Sequence, residues 1–266
     1  MTWVTDVTLG VLVFVALAAF LAGWIDAVVG GGGLVQLPAL MVAFPGAAPV
    51  QLLATNKAGS IAGTTTSSIT YARRVRFDPR TALPLAGAAF AGSALGAVVA
   101  SHVPREAFNP IILVVLLAVG TVVVLRPELG REMALRHVGR RHYGTAAGVG
   151  IVVGFYDGLL GPGTGTFFVF GLVGLLGYGF LEASAKAKVA NVATNLAALL
   201  VFVPQGAVAW KVAAVLMVGN TAGGYVGART AVARGSAFIR VMFVVVVGAF
   251  AVRIGWDTLV QFGLAG

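Results

Sequence analysis

The chain has 266 residues, of which 59% are apolar and 10% are charged, and its formal net charge is +9. A soluble domain carries about 25% charged residues, so this composition excludes a water-soluble globule and predicts an all-helical, polytopic membrane protein. Cysteine is absent, which excludes disulfide frameworks, thiolate metal sites and cysteine nucleophiles.

Apolar segments follow one another along the chain, with short loops between them. They are predicted at residues 7–29, 34–44, 50–71, 81–101, 107–125, 145–160, 164–176, 183–203, 209–230 and 238–254. The first has no basic region and no small-residue cleavage site, so we interpret it as a retained span rather than a signal peptide. A full span needs about 20 residues, and segments 34–44 and 164–176 are too short. Each follows a glycine cluster, which predicts half-helices, re-entrant segments or short, steeply packed spans.

The charges of the loops predict the orientation of the chain. Arginine is concentrated at residues 73–80, 126–141 and 229–240, whereas the loops at 102–108 and 204–209 carry one arginine and none. The positive-inside rule places the basic loops in the cytoplasm, so both termini are predicted to lie outside. The same rule accounts for the net positive charge, and no nucleic-acid partner is expected.

The two halves of the sequence match without a gap at a shift of 131 residues. Asp26 falls on Asp157 and Lys57 falls on Lys188, and such residues are rare inside apolar segments. The match predicts one transporter domain over 1–266, built from two repeats of about five helical segments. The repeats are predicted at 7–125 and 144–254, with a basic cytoplasmic loop at 126–143 between them.

The repeat is predicted to be inverted. Under the same shift, the arginine-rich loop 73–80 corresponds to the charge-poor loop 204–211. Corresponding loops would therefore lie on opposite sides of the membrane. Inverted repeats are the architecture that many secondary transporters use for alternating access.

Each half carries a glycine-rich turn before its short apolar segment. Such a turn ends a helix and leaves backbone amides free, so the following half-helix would direct its N-terminal amides and positive dipole at an anion. Close helix packing around a tight turn is the alternative. The candidate anion-binding residues in these turns are Gly31, Gly32, Gly33, Gly163 and Thr164.

Lys57 and Lys188 lie about two helical turns inside apolar segments. Two lysines facing lipid would cost roughly 5–7 kcal/mol on an insertion scale, so we expect them to face a cavity, a carboxylate or a substrate. Lys186 and Lys211 lie nearer segment ends, where a lysine can snorkel to the interface. The candidate substrate-binding neighbours of Lys57 and Lys188 are Thr55, Asn56, Ser60, Asn191 and Asn195.

Asp26 and Asp157 are the only acidic residues well inside apolar segments. Two roles stay open for them. They could neutralise Lys57 and Lys188 as salt bridges, or they could carry a proton that is coupled to transport.

The sequence does not predict an enzyme. His102, His137 and His142 are expected in loops or at segment ends, so no histidine base is predicted in the membrane for a serine nucleophile. No His/Asp/Glu cluster has metal-ligand spacing, and no Walker-type phosphate loop occurs. No metal and no cofactor are predicted.

The glycine turns and the lysine segments carry a family resemblance. The first half reads Gly-Trp-Ile-Asp-Ala-Val-Val-Gly-Gly-Gly-Gly-Leu at 23–34, Leu-Pro at 37–38 and Ala-Thr-Asn-Lys at 54–57. The second half reads Gly-Phe-Tyr-Asp-Gly-Leu-Leu-Gly-Pro-Gly-Thr-Gly at 154–165, Lys-Val-Ala-Asn at 188–191 and Gly-Asn-Thr-Ala-Gly-Gly-Tyr-Val-Gly-Ala-Arg at 219–229. Over nearly its whole length the chain resembles the sulfite exporter TauE/SafE family, also called the TSUP family of anion permeases. The resemblance implies a multi-pass permease of the bacterial plasma membrane for sulfite, sulfonates or related anions.

The leading hypothesis is a secondary permease or exporter of small anions that works by alternating access. Its expected partners are a small anionic substrate and the lipid bilayer, with the oligomeric state open between a monomer and a homodimer. The alternatives are a non-transporting membrane scaffold and a cation or proton channel that uses Asp26 and Asp157. A scaffold has no need of lysine in hydrocarbon, and buried lysines disfavour a cation path.

Overall fold

A computed structural model describes residues 8–75, 78–100 and 133–261, and all regular structure within these ranges is helical. The first half contains α1 (Leu9–Val29), α2 (Gly33–Ala43), α3 (Pro49–Ala72) and α4 (Pro79–Ala100). The second half contains α5 (Gly139–Leu159), α6 (Thr164–Gly171, followed by a π-helical turn at Leu172–Leu176), α7 (Phe180–Phe202) and α8 (Trp210–Gln261).

The prediction of an all-helical, polytopic membrane protein is confirmed. Among the described residues, α1, α4, α7 and the Trp210–Arg253 part of α8 are long and apolar enough to cross a membrane. The two segments predicted to be short are apolar helices of fewer than 18 residues, at Gly33–Ala43 and Thr164–Leu176. The predicted segment 107–125 lies outside the described residues.

The structure differs from the predicted segments at two places. Segments 209–230 and 238–254 form one helical run, α8, interrupted at Gly235, whose φ of 71° and ψ of −171° are not helical. Helix α5 begins at Gly139, inside the predicted loop 126–143. His142 therefore lies in the first turns of a helix and is buried, although the charged residues around it are typical of a loop.

The helices of the two halves correspond in sequence position. Helices α2, α3 and α4 begin at Gly33, Pro49 and Pro79, and α6, α7 and α8 each begin 131 residues later. The packing of the helices shows the same correspondence between the halves, because α4 packs along α5 and α8 packs along α1. The fourth helix of each half thus lies on the first helix of the other half. The inversion of the halves across the membrane stays a prediction.

Small residues bring these helices together. A Cβ atom added to Gly158 of α5 would overlap the backbone of Ser93 in α4, and one added to Gly223 of α8 would overlap the backbone of Phe20 in α1. Lipid tails offer no hydrophobic drive for helix association, so membrane helices associate through such close backbone contacts. The two halves are therefore joined by two matching interfaces.

Helix α6 lies at the centre of the bundle. Its residues from Thr164 to Val169 are all buried, and Phe168, Val169 and Leu172 belong to the largest hydrophobic cluster. This position brings the glycine-rich turn before α6 into the middle of the protein.

Candidate functional site

The two glycine-rich turns contact each other at the centre of the bundle. The Thr166 amide donates to the Gly30 carbonyl at 3.2 Å, and the Thr166 hydroxyl donates to the Val29 carbonyl at 3.1 Å. Gly30 has a φ of 89°, and a Cβ atom there would overlap the backbone of Gly165. Only glycine satisfies both the left-handed conformation and the close approach.

The predicted turn residues lie in these two turns or at the helix starts that follow them. Gly33 faces the backbone of Gly161 and Pro162, and the Thr164 hydroxyl donates to the Gly161 carbonyl at 2.7 Å. The turn before α2 is tightened by its own backbone, because the Leu34 amide bonds the Gly31 carbonyl and the Val35 and Gln36 amides bond the Gly32 carbonyl, each at 3.0 Å. Gly163 precedes α6 with a φ of 78°.

Two buried ion pairs flank the paired turns, and each joins one half to the other. The Nζ atom of Lys57 lies 2.5 Å from Oδ2 of Asp157, and the Nζ atom of Lys188 lies 2.8 Å from Oδ2 of Asp26. Lys188 also donates to the Asp26 backbone carbonyl. Under the 131-residue shift, the lysine and the aspartate of one pair correspond to the lysine and the aspartate of the other. This geometry is the one that the salt-bridge role of Asp26 and Asp157 requires.

The pairs differ in burial and in bonding. The Lys57, Lys188 and Asp157 side chains are at most 5% exposed, whereas the Asp26 side chain is 17% exposed. Oδ2 of Asp157 has the Lys57 ammonium as its partner, whereas Lys188 bonds both the carboxylate and the backbone carbonyl of Asp26. The Lys57–Asp157 pair is thus the more deeply buried of the two.

The polar neighbours of the lysines divide into two groups. Asn56 and Asn191 are buried, and the Oδ1 atom of each lacks a hydrogen-bond partner within the described part of the chain. Asn195 is held by Thr64, to whose Oγ1 its Nδ2 donates at 3.4 Å. The Thr55 hydroxyl instead accepts a hydrogen bond from the Ala209 amide at 3.0 Å. This bond links α3 to the start of α8.

Ser60 is partly exposed, one turn after Lys57 on α3. Its carbonyl accepts from the Thr64 hydroxyl at 3.0 Å. The centre therefore combines two ion pairs, two paired glycine turns and unpaired amide oxygens, which is a polar environment inside an otherwise apolar bundle.

Sequence reasoning missed a buried amide pair beside the centre. Asn220 of α8 donates through Nδ2 to Oε1 of Gln36 on α2 at 2.7 Å, and both side chains are at most 3% exposed. Nε2 of Gln36 has no partner in the described ranges. The presence of Gln36 inside a short apolar segment was the feature of the sequence that could have indicated this buried pair.

A second missed group, here called the end cluster, consists of Asp78, Thr81, His142, Tyr178 and Lys186. Lys186 is 3% exposed and lies 4.2 Å from the centroid of the Tyr178 ring. It does not snorkel to the interface, because the connection before α7 folds over it. Asp78, His142 and Tyr178 stand in predicted loops, where the sequence gives no sign of burial.

The protonation of the end cluster follows from its surroundings. Burial raises the pKa of Tyr178 to about 12, although the hydrogen bond with Thr81 acts to lower it. The phenol is therefore protonated and can donate a hydrogen bond at neutral pH. Burial opposes ionisation of Asp78, but the hydrogen bond from Thr81 and the charge of Lys186 outweigh it and lower the pKa of the carboxyl. The Asp78 carboxylate in the cluster is therefore ionised at neutral pH.

Comparison with known proteins gives a consistent set of relatives. The family model described as sulfite exporter TauE/SafE matches residues 15–254. A probable membrane transporter protein, ORF9, from a Sinorhizobium species is 37% identical over 249 residues, which cover 94% of each chain. The probable membrane transporter protein YfcA of Escherichia coli K12 is 35% identical over 257 residues, covering 96% of this chain and 92% of the relative.

A third relative, a probable membrane transporter protein of Haemophilus influenzae, is 32% identical over 252 residues, covering 95% of this chain and 97% of the relative. No solved structure matches the chain significantly. The family match spans both glycine turns, both ion pairs and the helices that hold them. The chain is therefore an integral membrane protein that belongs to the sulfite exporter TauE/SafE family.

Proposed function

We propose that this membrane transporter carries small anions, in particular sulfite, sulfonates or related oxyanions, by alternating access between its two halves. The observation that carries the proposal is the pair of buried lysines, each held by a carboxylate of the opposite half beside the paired glycine turns. A buried ammonium needs an anionic partner. A substrate oxyanion can take the place of the carboxylate as that partner.

Substrate binding would be coupled to the carboxylates. When an anion bonds Lys57, Asp157 loses its counter-charge while it stays buried, and an unpaired buried carboxylate is costly. Taking up a proton removes that cost. Anion transport would then be accompanied by proton transport, with Asp26 and Asp157 as the carriers, so the salt-bridge and proton-coupling roles would alternate within one cycle.

The polar atoms around the lysines suit an oxyanion and a bound proton. The amide groups of Asn56, Asn191 and Asn195, the hydroxyls of Ser60 and Thr164, and the backbone amides of Gly31, Gly32, Gly33 and Gly163 are the proposed hydrogen-bonding set. The orphaned Oδ1 atoms of Asn56 and Asn191 would accept from water or from a protonated oxyanion. Thr55 contributes at the periphery, through its bond to α8.

The test is transport by purified protein in liposomes. Radiolabelled sulfite, a small sulfonate and a carboxylate would be supplied with and without an inward proton gradient. We expect Lys57→Met and Lys188→Met to abolish uptake, because each removes the charge that holds the anion. Lys211→Met is the matched control, since Lys211 is exposed at the start of α8 and should transport normally.

Folding has to be separated from transport in this test. Lys57→Met strands Asp157 as an unpaired buried charge, which typically destabilises by about 3–5 kcal/mol. The double variant Lys57→Met/Asp157→Asn removes that charge and should recover stability without recovering uptake. Normal uptake by the double variant, or cation flux in place of anion flux, would overturn the proposal.

A further inference from the structure

We propose that the end cluster of Asp78, Thr81, His142, Tyr178 and Lys186 is a proton-binding gate on the path to the central ion pairs. This inference rests on the proposed function, because a gate requires a transport path. The cluster takes no part in either ion pair.

The cluster ties the two halves together through hydrogen bonds. Nε2 of His142 lies 3.0 Å from the Thr81 hydroxyl and 3.1 Å from the Tyr178 hydroxyl. The Thr81 hydroxyl donates to Oδ2 of Asp78 at 2.6 Å, and the Tyr178 hydroxyl lies 3.3 Å from the same oxygen. The contact joins the start of α4 in the first half to α5 and to the connection before α7 in the second half.

The cluster lies next to the central site along α7. Lys186 precedes Lys188 by two residues, which is about 3 Å along a helix axis, and Asn191 lies about 8 Å further than Lys186. Lys186 is held under the Tyr178 ring, so the ring and its hydroxyl partners cover this end of the helix. Separating Tyr178 from Thr81 would uncover Lys186 and the layer behind it.

His142 is built to change the state of this contact by taking a proton. Its Nδ1 atom is buried and has no hydrogen-bond partner in the described residues. A protonated imidazole is a donor at both nitrogens, so in the closed cluster it would bury an unpaired N–H group and add a positive charge to a cluster that already holds Lys186. Proton uptake therefore favours the open arrangement, in which Nδ1 reaches water.

The surroundings of His142 supply one nearby counter-charge. From α4 the ionised Asp78 faces it through Thr81, and from the connection before α7 Tyr178 faces it directly. On its own helix Tyr143 stacks edge-on at 5.5 Å between ring centroids. From α7 come Lys186, whose ammonium lies against the face of the Tyr178 ring, and Glu182, whose charge acts on Lys186. Asp78 therefore serves both cations once the histidine is charged.

The positions that correspond to the end cluster in the repeat are mostly apolar, and the predicted inversion places them at the opposite end of the bundle. Under the 131-residue shift, the cluster residues correspond to Ala209, Val212, Val11, Ala47 and Thr55. The first four of these belong to, or pack against, one apolar cluster, and Thr55 accepts a hydrogen bond from the Ala209 amide. Among the described residues this counterpart offers no titratable side chain at the corresponding positions. Opening at that end should not depend on protons.

The test measures access to the centre from each side of the membrane. Asn191→Cys is made in the natural chain, which contains no cysteine, and is labelled in right-side-out and inside-out vesicles with a charged, membrane-impermeant thiol reagent. Rates are taken at about pH 5.5 and about pH 8, which bracket the ordinary histidine pKa. Val138→Cys, 84% exposed at the same end, is the reference that corrects for the thiolate fraction.

We expect the corrected labelling rate of Asn191→Cys to rise severalfold at the lower pH when the reagent is added on the side of the membrane where Val138 lies. Labelling from the other side should not change with pH. His142→Gln keeps a polar atom near the place of Nε2 but takes no proton, so it should hold the slow rate at both pH values. Asp78→Asn removes the counter-charge of Lys186 and should give the fast rate at both. Misfolding cannot produce these opposite results.

The other outcomes separate the two proposals. A rate that does not depend on pH, or a pH response that survives His142→Gln, overturns the gate and leaves anion transport standing. If Asn191→Cys is labelled from neither side at any pH, no path reaches the centre. The proposed function then fails together with the gate.

Discussion

At the scale of single residues, the two ion pairs are related by sequence position but differ physically. Lys57 and Asp157 are both buried and bond each other through their charged groups. Lys188 has two acceptors on one residue, the carboxylate and the backbone carbonyl of Asp26, and that carboxylate is partly exposed. Removing the aspartate partner should therefore destabilise the protein more at Lys57 than at Lys188.

The variants Asp157→Asn and Asp26→Asn test this difference. Asp157→Asn should lower the free energy of unfolding by about 3–5 kcal/mol, as expected when a buried charge loses its partner. Asp26→Asn should have a smaller effect, because Lys188 keeps the backbone carbonyl and the site admits some water. Thermal unfolding of the detergent-purified proteins, followed by circular dichroism, gives the comparison. An equal or larger loss for Asp26→Asn would contradict it.

The buried Gln36–Asn220 pair makes a second residue-scale prediction. Asn220→Leu removes the side-chain partner that the described residues give to the Gln36 amide, and a stranded buried polar group costs about 1–3 kcal/mol. Adding Gln36→Leu should recover part of this loss, because the positions that correspond to Gln36 and Asn220 under the 131-residue shift are the apolar Phe167 and Ala89. A double-mutant cycle on unfolding free energies measures the coupling. Additive losses would show that the two amides act independently.

At the scale of elements, the glycine turns position the site. Helices α1 and α5 end where the two turns meet, so α2 and α6 both begin at this contact between the halves. The contact between Gly30 and Gly165 leaves no room for a side chain on either turn. The lysines on α3 and α7 reach the carboxylates only because this contact sets the distance between the halves.

Gly30→Ala should therefore prevent a stable fold. The added methyl group would overlap the Gly165 backbone, and alanine would be strained at a φ of 89°. Gly87→Ala is the matched control, because Gly87 is exposed within α4 and nothing lies within 4 Å of its added Cβ; there, alanine should be neutral or slightly stabilising. Yield of monodisperse protein in detergent distinguishes the two. A well-folded Gly30→Ala protein would refute the close contact.

The elements also show what the sequence can predict. The starts of α2 and α3 lie within one residue of the predicted segments, because glycine and proline mark helix ends clearly. The break in α8 was predicted as a loop, since Arg234 and Gly235 are typical of one. The sequence suggests the aspartates as partners of the lysines but does not predict which aspartate bonds which lysine. Each lysine and its carboxylate lie in different halves, and only tertiary packing brings them together. The end cluster was missed for the same reason, as Asp78, His142 and Tyr178 are distant in sequence.

At the scale of the whole molecule, the halves depend on each other. Each contributes the lysine of one ion pair and the carboxylate of the other, and the fourth helix of each packs on the first helix of its partner half. A half on its own would expose stripes of glycine and leave a lysine and an aspartate unpaired in lipid, where charged groups are costly.

Fragments that end at residue 132 and begin at residue 133 test this dependence. The cut leaves intact the strand-like contact in which the Ala134 amide donates to the Gly177 carbonyl at 2.8 Å. Produced together, the fragments should co-purify through a tag on one of them. Produced alone, each should be degraded or aggregate. Accumulation of either fragment as a folded species would show that the halves are independent.

The crossed arrangement of the ion pairs has a consequence for the origin of the chain. Because the lysine and the aspartate of one half never bond each other, a single ancestral half would satisfy both only by associating with a second copy of itself, lysine to aspartate and aspartate to lysine. Duplication and fusion of the gene would preserve both bonds unchanged. Afterwards each copy was free to diverge where the pairing did not constrain it, as the polar end cluster and its apolar counterpart have done.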